Sequence, residues 1–250
     1  MSGASVARRV AWSVFGLSPG LVALALAAAG WAALGAAVAA TIGLAAHAPA
    51  LHGRDWRAWR RDPGALFAGL LAWGWVSCVD PSLQVASVFA ALIAVAVHQA
   101  FGGTGQSPFH PAAAAVALVL LIAPATGAWT GGTATSLAFA AGGLVMLARR
   151  LSPISSVAGW FVGLGIGCLL AGGSATVLDG LAPAHLLVGG FVFADGGSSG
   201  VRGASRGVCG LIAGLLAATL PGNAALPCAI LLANLCVPMV ERAVPPRARA

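Results

Sequence analysis

A chain of 250 residues that is 59% apolar and 8% charged excludes an ordinary water-soluble domain, in which about a quarter of the residues carry charge. Its net charge of +7 comes from 13 Arg and no Lys. These Arg fall in small groups between long apolar runs, which argues against a nucleic-acid surface despite a pI near 10.9.

A helix rises about 1.5 Å per residue, so a hydrocarbon core of about 30 Å takes roughly 20 apolar residues. In chain order the first apolar run covers residues 8–29. It starts at Arg8-Arg9 and ends at Ala27-Ala28-Ala29, an outline shared with signal peptides. Pro19-Gly20 inside the run and the restart at Trp31 point instead to a retained span. The second run covers 31–50. After it, Asp55-Trp56-Arg57-Ala58-Trp59-Arg60-Arg61 interleaves indoles with guanidiniums. That pattern suits an interfacial turn on anionic lipid or, as the second choice, a docking patch for a partner subunit. Runs three and four cover 63–79 and 82–101.

Next comes Phe101-Gly102-Gly103-Thr104-Gly105-Gln106-Ser107-Pro108-Phe109-His110-Pro111, which is uncharged and rich in helix breakers. It is either a tight turn or a re-entrant element lining a cofactor or ion path, because non-helical backbone at membrane depth needs cover from protein or a cavity. Neither a P-loop nor a dinucleotide fingerprint is present. Run five covers 110–125. Before run six, at 134–150, stands Trp129-Thr130-Gly131-Gly132-Thr133-Ala134-Thr135, a polar loop with Thr133 or Thr135 as N-cap. Runs seven and eight cover 155–173 and 182–195. Asp195 closes the eighth, ahead of a Gly/Ser stretch with Arg202 and Arg206. It is either a cap or ion-pair partner, or part of an ion path. Runs nine and ten cover 206–221 and 224–241.

The expected fold is an all-α integral membrane protein of about ten transmembrane helices in a single membrane domain, residues 1–250. With ten spans, all 13 Arg fall on one face, and the positive-inside rule makes that face and both termini cytoplasmic. Segments below 20 residues must stand upright, thin the bilayer or be partly re-entrant. Pro108-Phe109-His110-Pro111 leads into an apolar run ending at Pro124, and Leu226-Pro227 leads into a similar run ending at Pro238. They allow a five-plus-five repeat, inverted because five is odd, or a chance likeness in so biased a composition. His98 and His185 lie within spans and His110 at a span start, where helix contact is the ordinary role. The five Cys show no metal or redox spacing and read as small apolar fillers. No hydrolytic triad and no paired carboxylates at helical spacing are present.

Three segments together resemble the D subunit of the Rnf electron-transport complex and its relative, the B subunit of the sodium-pumping NADH:quinone reductase. The family's G-G-x-G-Q-N-P-F-N-P-A stands here as Gly102-Gly103-Thr104-Gly105-Gln106-Ser107-Pro108-Phe109-His110-Pro111-Ala112. Its A-T-D-P followed by R-G stands as Phe193-Ala194-Asp195-Gly196 with Arg206-Gly207. Its L-L-x-N before a Pro stands as Leu231-Leu232-Ala233-Asn234 before Pro238. The resemblance covers most of residues 60–245, and the absence of a long N-terminal extension favours the Rnf member.

What the resemblance implies is a ten-helix bundle related to urea-transporter-like permeases, in the bacterial inner membrane. The subunit would serve a complex that couples electron transfer between ferredoxin and NAD to Na⁺ or H⁺ movement. Its partners would be a flavin-binding G-type subunit, A- and E-type membrane subunits and a C-type peripheral subunit. It would carry FMN, joined through a phosphoester to Thr135, with Thr133 as the second acceptor. Gly102, Gly103, Gly105, Gln106, Phe109 and His110 would contact a cofactor, and Asp195 would belong to an ion path. The chain departs from the family at Ser107 and His110, where Asn is usual, at Gly196, and at the flavin segment, where Thr133 replaces a Gly and Trp129 stands near the place of an Asp. Two other functions compete: a small-solute channel or permease without redox chemistry, and a scaffold subunit that has lost its flavin.

Overall fold

Ten α-helices and two 3-10 turns make up the regular structure of the computed structural model, which describes residues 3–27, 30–51, 64–101, 107–125, 132–171, 182–194 and 203–243. The helices are α1 (Gly3–Ala27), α2 (Trp31–Leu51), α3 (Gly64–Val79), α4 (Gln84–Ala100), α5 (Pro111–Ile122), α6 (Gly132–Ala148), α7 (Ile154–Leu170), α8 (Pro183–Phe191), α9 (Gly203–Thr219) and α10 (Ala225–Ala243). Each falls on one of the ten apolar runs, and no strand occurs among the described residues. Three stretches, Arg8–Ala27, Pro81–Ala100 and Ala225–Ala243, are long and apolar enough to cross a membrane. The runs at 110–125 and 182–195 yield shorter helices than expected, of 12 and 9 residues.

Local chemistry sets the ends. Pro111 and Pro183 start α5 and α8 in the first turn, where a missing N–H costs nothing. The α5 helix stops at Ile122 because Ala123, at φ −123, precedes Pro124 and is biased out of the helical region. Inside α1, Pro19 has no N–H for the Phe15 carbonyl; the Ser18 hydroxyl donates to that oxygen instead, at 2.8 Å. The helix therefore runs on through the proline. At the end of α6, Leu151 N–H donates to Met146 O and Arg150 N–H to Leu147 O, both at 2.9 Å. These are the two bonds of a Schellman cap, with Arg150 at φ 55 in the position glycine usually takes.

The α3 helix is apolar on every side, and all but one of its residues are buried, Trp73 and Trp75 among them. It packs on α4, α2, α5, α1 and α8, which makes it the central element. Outer faces are apolar too: Leu121, Leu169 and Ile122 are 79%, 77% and 74% exposed. A surface of this kind is suited to lipid rather than water.

Four helix pairings of the first five helices recur in the last five, while α3–α4 and α3–α5 have no counterpart of similar extent among the described residues. The α2–α4 pair corresponds to α7–α9, α4–α5 to α9–α10, α2–α3 to α7–α8 and α1–α3 to α6–α8. Between the two sets, α1 packs on α6, α3 on α8 and α5 on α10, with α1 also reaching α8. The broadest seam is α7–α9. Gly159, Gly163 and Gly167 on α7 face α9, while Gly210 and Gly214 face α7. A Cβ at Gly159 would strike Gly207 O, at Gly163 Leu211 O, at Gly210 Ser156 O and at Gly214 Trp160 O. Both helices advance together along these contacts, so they run parallel, in the close approach that small residues every fourth position permit. The α1–α6 seam runs antiparallel, through Gly16 against Gly142 and Gly20 against Phe139.

Candidate functional site

At the start of α5, His110 is the N-cap, and its Nδ1 accepts from the Ala113 N–H at 3.4 Å. Its backbone is extended, φ −68 and ψ 117, as the residue before a proline prefers. A ring nitrogen that accepts must be unprotonated, so this contact belongs to neutral histidine. Ser107 donates from Oγ to the Phe109 carbonyl. Ser107 and His110 are buried and Phe109 is half-buried. Pro108 between them is exposed, so the stretch turns at the protein's surface while the Ser107 and His110 side chains point inward and are bonded locally. Gly102, Gly103, Gly105 and Gln106 lie outside the described residues.

Thr133 and Thr135 sit in the first turn of α6, which begins at Gly132, so neither occupies the N-cap position expected of it. Thr133 is exposed, whereas Thr135 is 1% exposed. A phosphoester needs a hydroxyl that a transferase and a flavin phosphate can reach. Thr133 fits that requirement, while attachment at Thr135 would require the first turn of α6 to open. All of α5, 12 residues or about 18 Å of helix, separates these threonines from Ser107–His110 along the chain.

The third expected residue, Asp195, lies outside the described residues. The 3-10 turn Val192–Ala194 that leads to it borders a small cleft lined by Val192, Phe193, Arg206, Cys209, Ile230, Ala233 and Asn234. Its interior of about 10 Å³ has room for about one water, and excludes a flavin. Arg206 and Asn234 bring one cation and one amide to its wall. Next to Arg206 in the chain, Ser205 Oγ donates to Glu241 of α10 at 2.5 Å, which fixes the start of α9 against the end of α10.

Asp80 is a buried carboxylate that the sequence reading passed over. It follows α3 directly, is 3% exposed, and accepts from Ser82 N–H at 2.9 Å and Ser82 Oγ at 2.7 Å. The signal was available: Asp80-Pro81 ends an apolar run as Asp195-Gly196 does, and both precede the fourth helix of their set of five. Each break also carries a 3-10 turn, at Pro81–Leu83 and Val192–Ala194. Trp73, Trp75 and Trp160 bury indole nitrogens that find no acceptor in the described structure, an arrangement that costs free energy when the donor is fully enclosed. Trp160 lies against His185 and Phe193 at ring-centre distances of 6.3 and 5.9 Å, behind the Arg206 cleft. Among the described residues no group of three or more His, Cys, Asp or Glu forms a metal site.

Comparison with protein-family models and with curated protein sequences gives no match for this chain.

Proposed function

We propose that this chain is the membrane-embedded subunit of a redox-driven ion translocase of the Rnf type, crossing the bacterial inner membrane ten times with both termini cytoplasmic. The observation that carries this reading is the helix pairing. Four pairings of the first five helices, α2–α4, α4–α5, α2–α3 and α1–α3, recur in the last five, and the two sets meet mainly through α1–α6, α3–α8 and α5–α10. Contacts that join a helix to its own counterpart are what a two-fold axis between two halves produces, and transport folds are built this way. Short helices broken at Asp80 and at Ala194 support it further, because broken helices buried in protein are how polar groups reach membrane depth. The choice of family rests on the Gly102–Ala112, Asp195 and Asn234 segments.

In this reading FMN is held at the start of α6, with the exposed Thr133 hydroxyl as the attachment point in preference to the buried Thr135. Bound there, the flavin supplies electron-carrier chemistry. The chain's own part is to anchor it through Thr133, to keep the α6 turn closed through Thr135, and to offer the Arg206–Asn234 cleft and Asp195 to the coupled ion. Its partners are the flavin-binding G-type, membrane A- and E-type and peripheral C-type subunits.

Two measurements test the proposal. Reporter fusions after Gly132 and after Arg249 should report opposite sides, and an active periplasmic phosphatase at the C-terminus refutes ten crossings. The denatured protein should fluoresce on a gel under ultraviolet light, and Thr133→Ala should abolish the band while Thr135→Ala retains it. A dark wild-type band, with an unmodified peptide spanning both threonines, removes the covalent flavin. That outcome favours the second reading, a small-solute permease of the related fold.

A further inference from the structure

We propose that the end of the α1–α6 pair bearing Arg8, Arg9, Arg149 and Arg150 is a binding site for the phosphates of an anionic phospholipid. The inference rests on the membrane reading above and adds a specific ligand to it. The four arginines are separated by about 140 positions in the chain and are brought together by the fold. Glycine contacts between Gly16 and Gly142 let the two helices run antiparallel at close range. The Arg149 guanidinium lies 4.0 Å from the centre of the Trp12 ring. Trp12 is four residues after Arg8 on the same helix, one turn along the same face, where side-chain bases stand about 5–6 Å apart. Arg8 and Arg149 are therefore neighbours across the seam. Arg9 and Arg150 follow them, and all four are exposed.

The positive-inside rule puts all four on one side of the membrane but does not bring them together. A helix C-terminus favours cations, which accounts for Arg149 and Arg150 at the end of α6. Arg8 and Arg9 lie past the first turn of α1, where a helix-end field does not account for them. No acid compensates among the described residues: Asp80 is bonded to Ser82, and Glu241 to Ser205 across α9–α10. Arg150 adds an independent sign. It occupies a left-handed position, φ 55, where glycine carries no steric penalty, so a charged side chain is kept there against backbone preference. Guanidiniums match phosphate oxygens two at a time. Beside the cluster Phe15 and Leu144 are 60% and 66% exposed, offering apolar surface to acyl chains below the headgroup.

The test uses the full chain, expressed in membranes and then purified in a neutral detergent. Resistance to alkaline carbonate extraction establishes the membrane reading first, and a chain released by carbonate defeats that reading rather than this site. Retention of cardiolipin, phosphatidylglycerol and phosphatidylcholine is then measured by native mass spectrometry. The anionic lipids should be held preferentially, and Arg8→Gln combined with Arg149→Gln should lower their retention about tenfold or more. Arg242→Gln, at the end of α10, should leave it unchanged. Arg150→Gly distinguishes the site from a structural role: it should raise the melting temperature in lipid-free detergent while lowering anionic-lipid retention. Equal retention of phosphatidylcholine, or undiminished retention in the double variant, overturns the proposal. So does displacement of the lipid by millimolar inorganic phosphate, which would make this a free-anion site. Loss of a co-purifying acidic protein with lipid retention intact overturns it in favour of a protein interface.

Discussion

The α7–α9 pair and the α2–α4 pair hold the same place in the order of the last five and the first five helices, yet their seams differ in chemistry. On α7–α9 the contact is backbone to backbone, with Gly159, Gly163, Gly210 and Gly214 leaving no space for a Cβ. On α2 and α4 the buried positions are Ala33, Ala37 and Thr41, and Ser87, Ala90, Ala91, Ala94, Val95 and His98, and a Cβ added at Gly35 or Gly43 of α2 would meet nothing within 4 Å. In lipid, helices gain little from burying apolar surface and are held by packing and weak polar contacts. The glycine seam therefore provides a rigid parallel pair beside the Arg206 cleft. The α2–α4 pair buries alanine, serine and threonine side chains instead, and the buried Thr41 and Ser87 hydroxyls donate within their own helices, to Val38 O and Gln84 O. A shared helix order thus accommodates two seam chemistries.

The comparison can be broken most sharply at Gly163. Gly163→Ala adds one methyl against the Leu211 carbonyl, and backbone cannot rotate away as a side chain can. The expected cost is about 1–3 kcal/mol, read as a lower apparent melting temperature in detergent and a lower yield of folded protein. If Gly163→Ala melts like the parent chain, the close α7–α9 seam is wrong. The first half is probed at Asp80, which closes the α3–α4 elbow through Ser82. Asp80→Ala should cost about 0.5–2 kcal/mol, the range for a lost cap, while Ser82→Ala, which keeps the backbone contact, should cost less. Equal losses would mean that the hydroxyl rather than the cap matters. The smallest effects belong to Gly35→Ala and Gly165→Ala, which enter open space. Each should stabilise by about 0.5–1 kcal/mol, because glycine is a poor residue inside a helix. The Gly165 and Gly163 variants differ by two positions on one helix and should shift the melt in opposite directions.

The sequence by itself determined where the helices lie, for a physical reason: runs of apolar residues with no charge between Arg, Gly and Pro breakers have no other stable form once water is absent. Boundaries such as Pro111, Pro183 and Ala123-Pro124 were legible in the same way. The zipper glycines were also legible as Gly-x-x-x-Gly on α7 and α9, but not that these two helices pair, or in parallel. Tertiary structure alone decided burial within a helix turn: Thr133 and Thr135 are two residues apart in one motif, and only packing against the bundle exposes the first and encloses the second. It also decided which distant groups meet. Arg8 and Arg149 carry no mutual signal in the chain, because what brings their helix ends together is the antiparallel approach of α1 and α6 through Gly16 and Gly142, with Arg149 lying over the Trp12 indole.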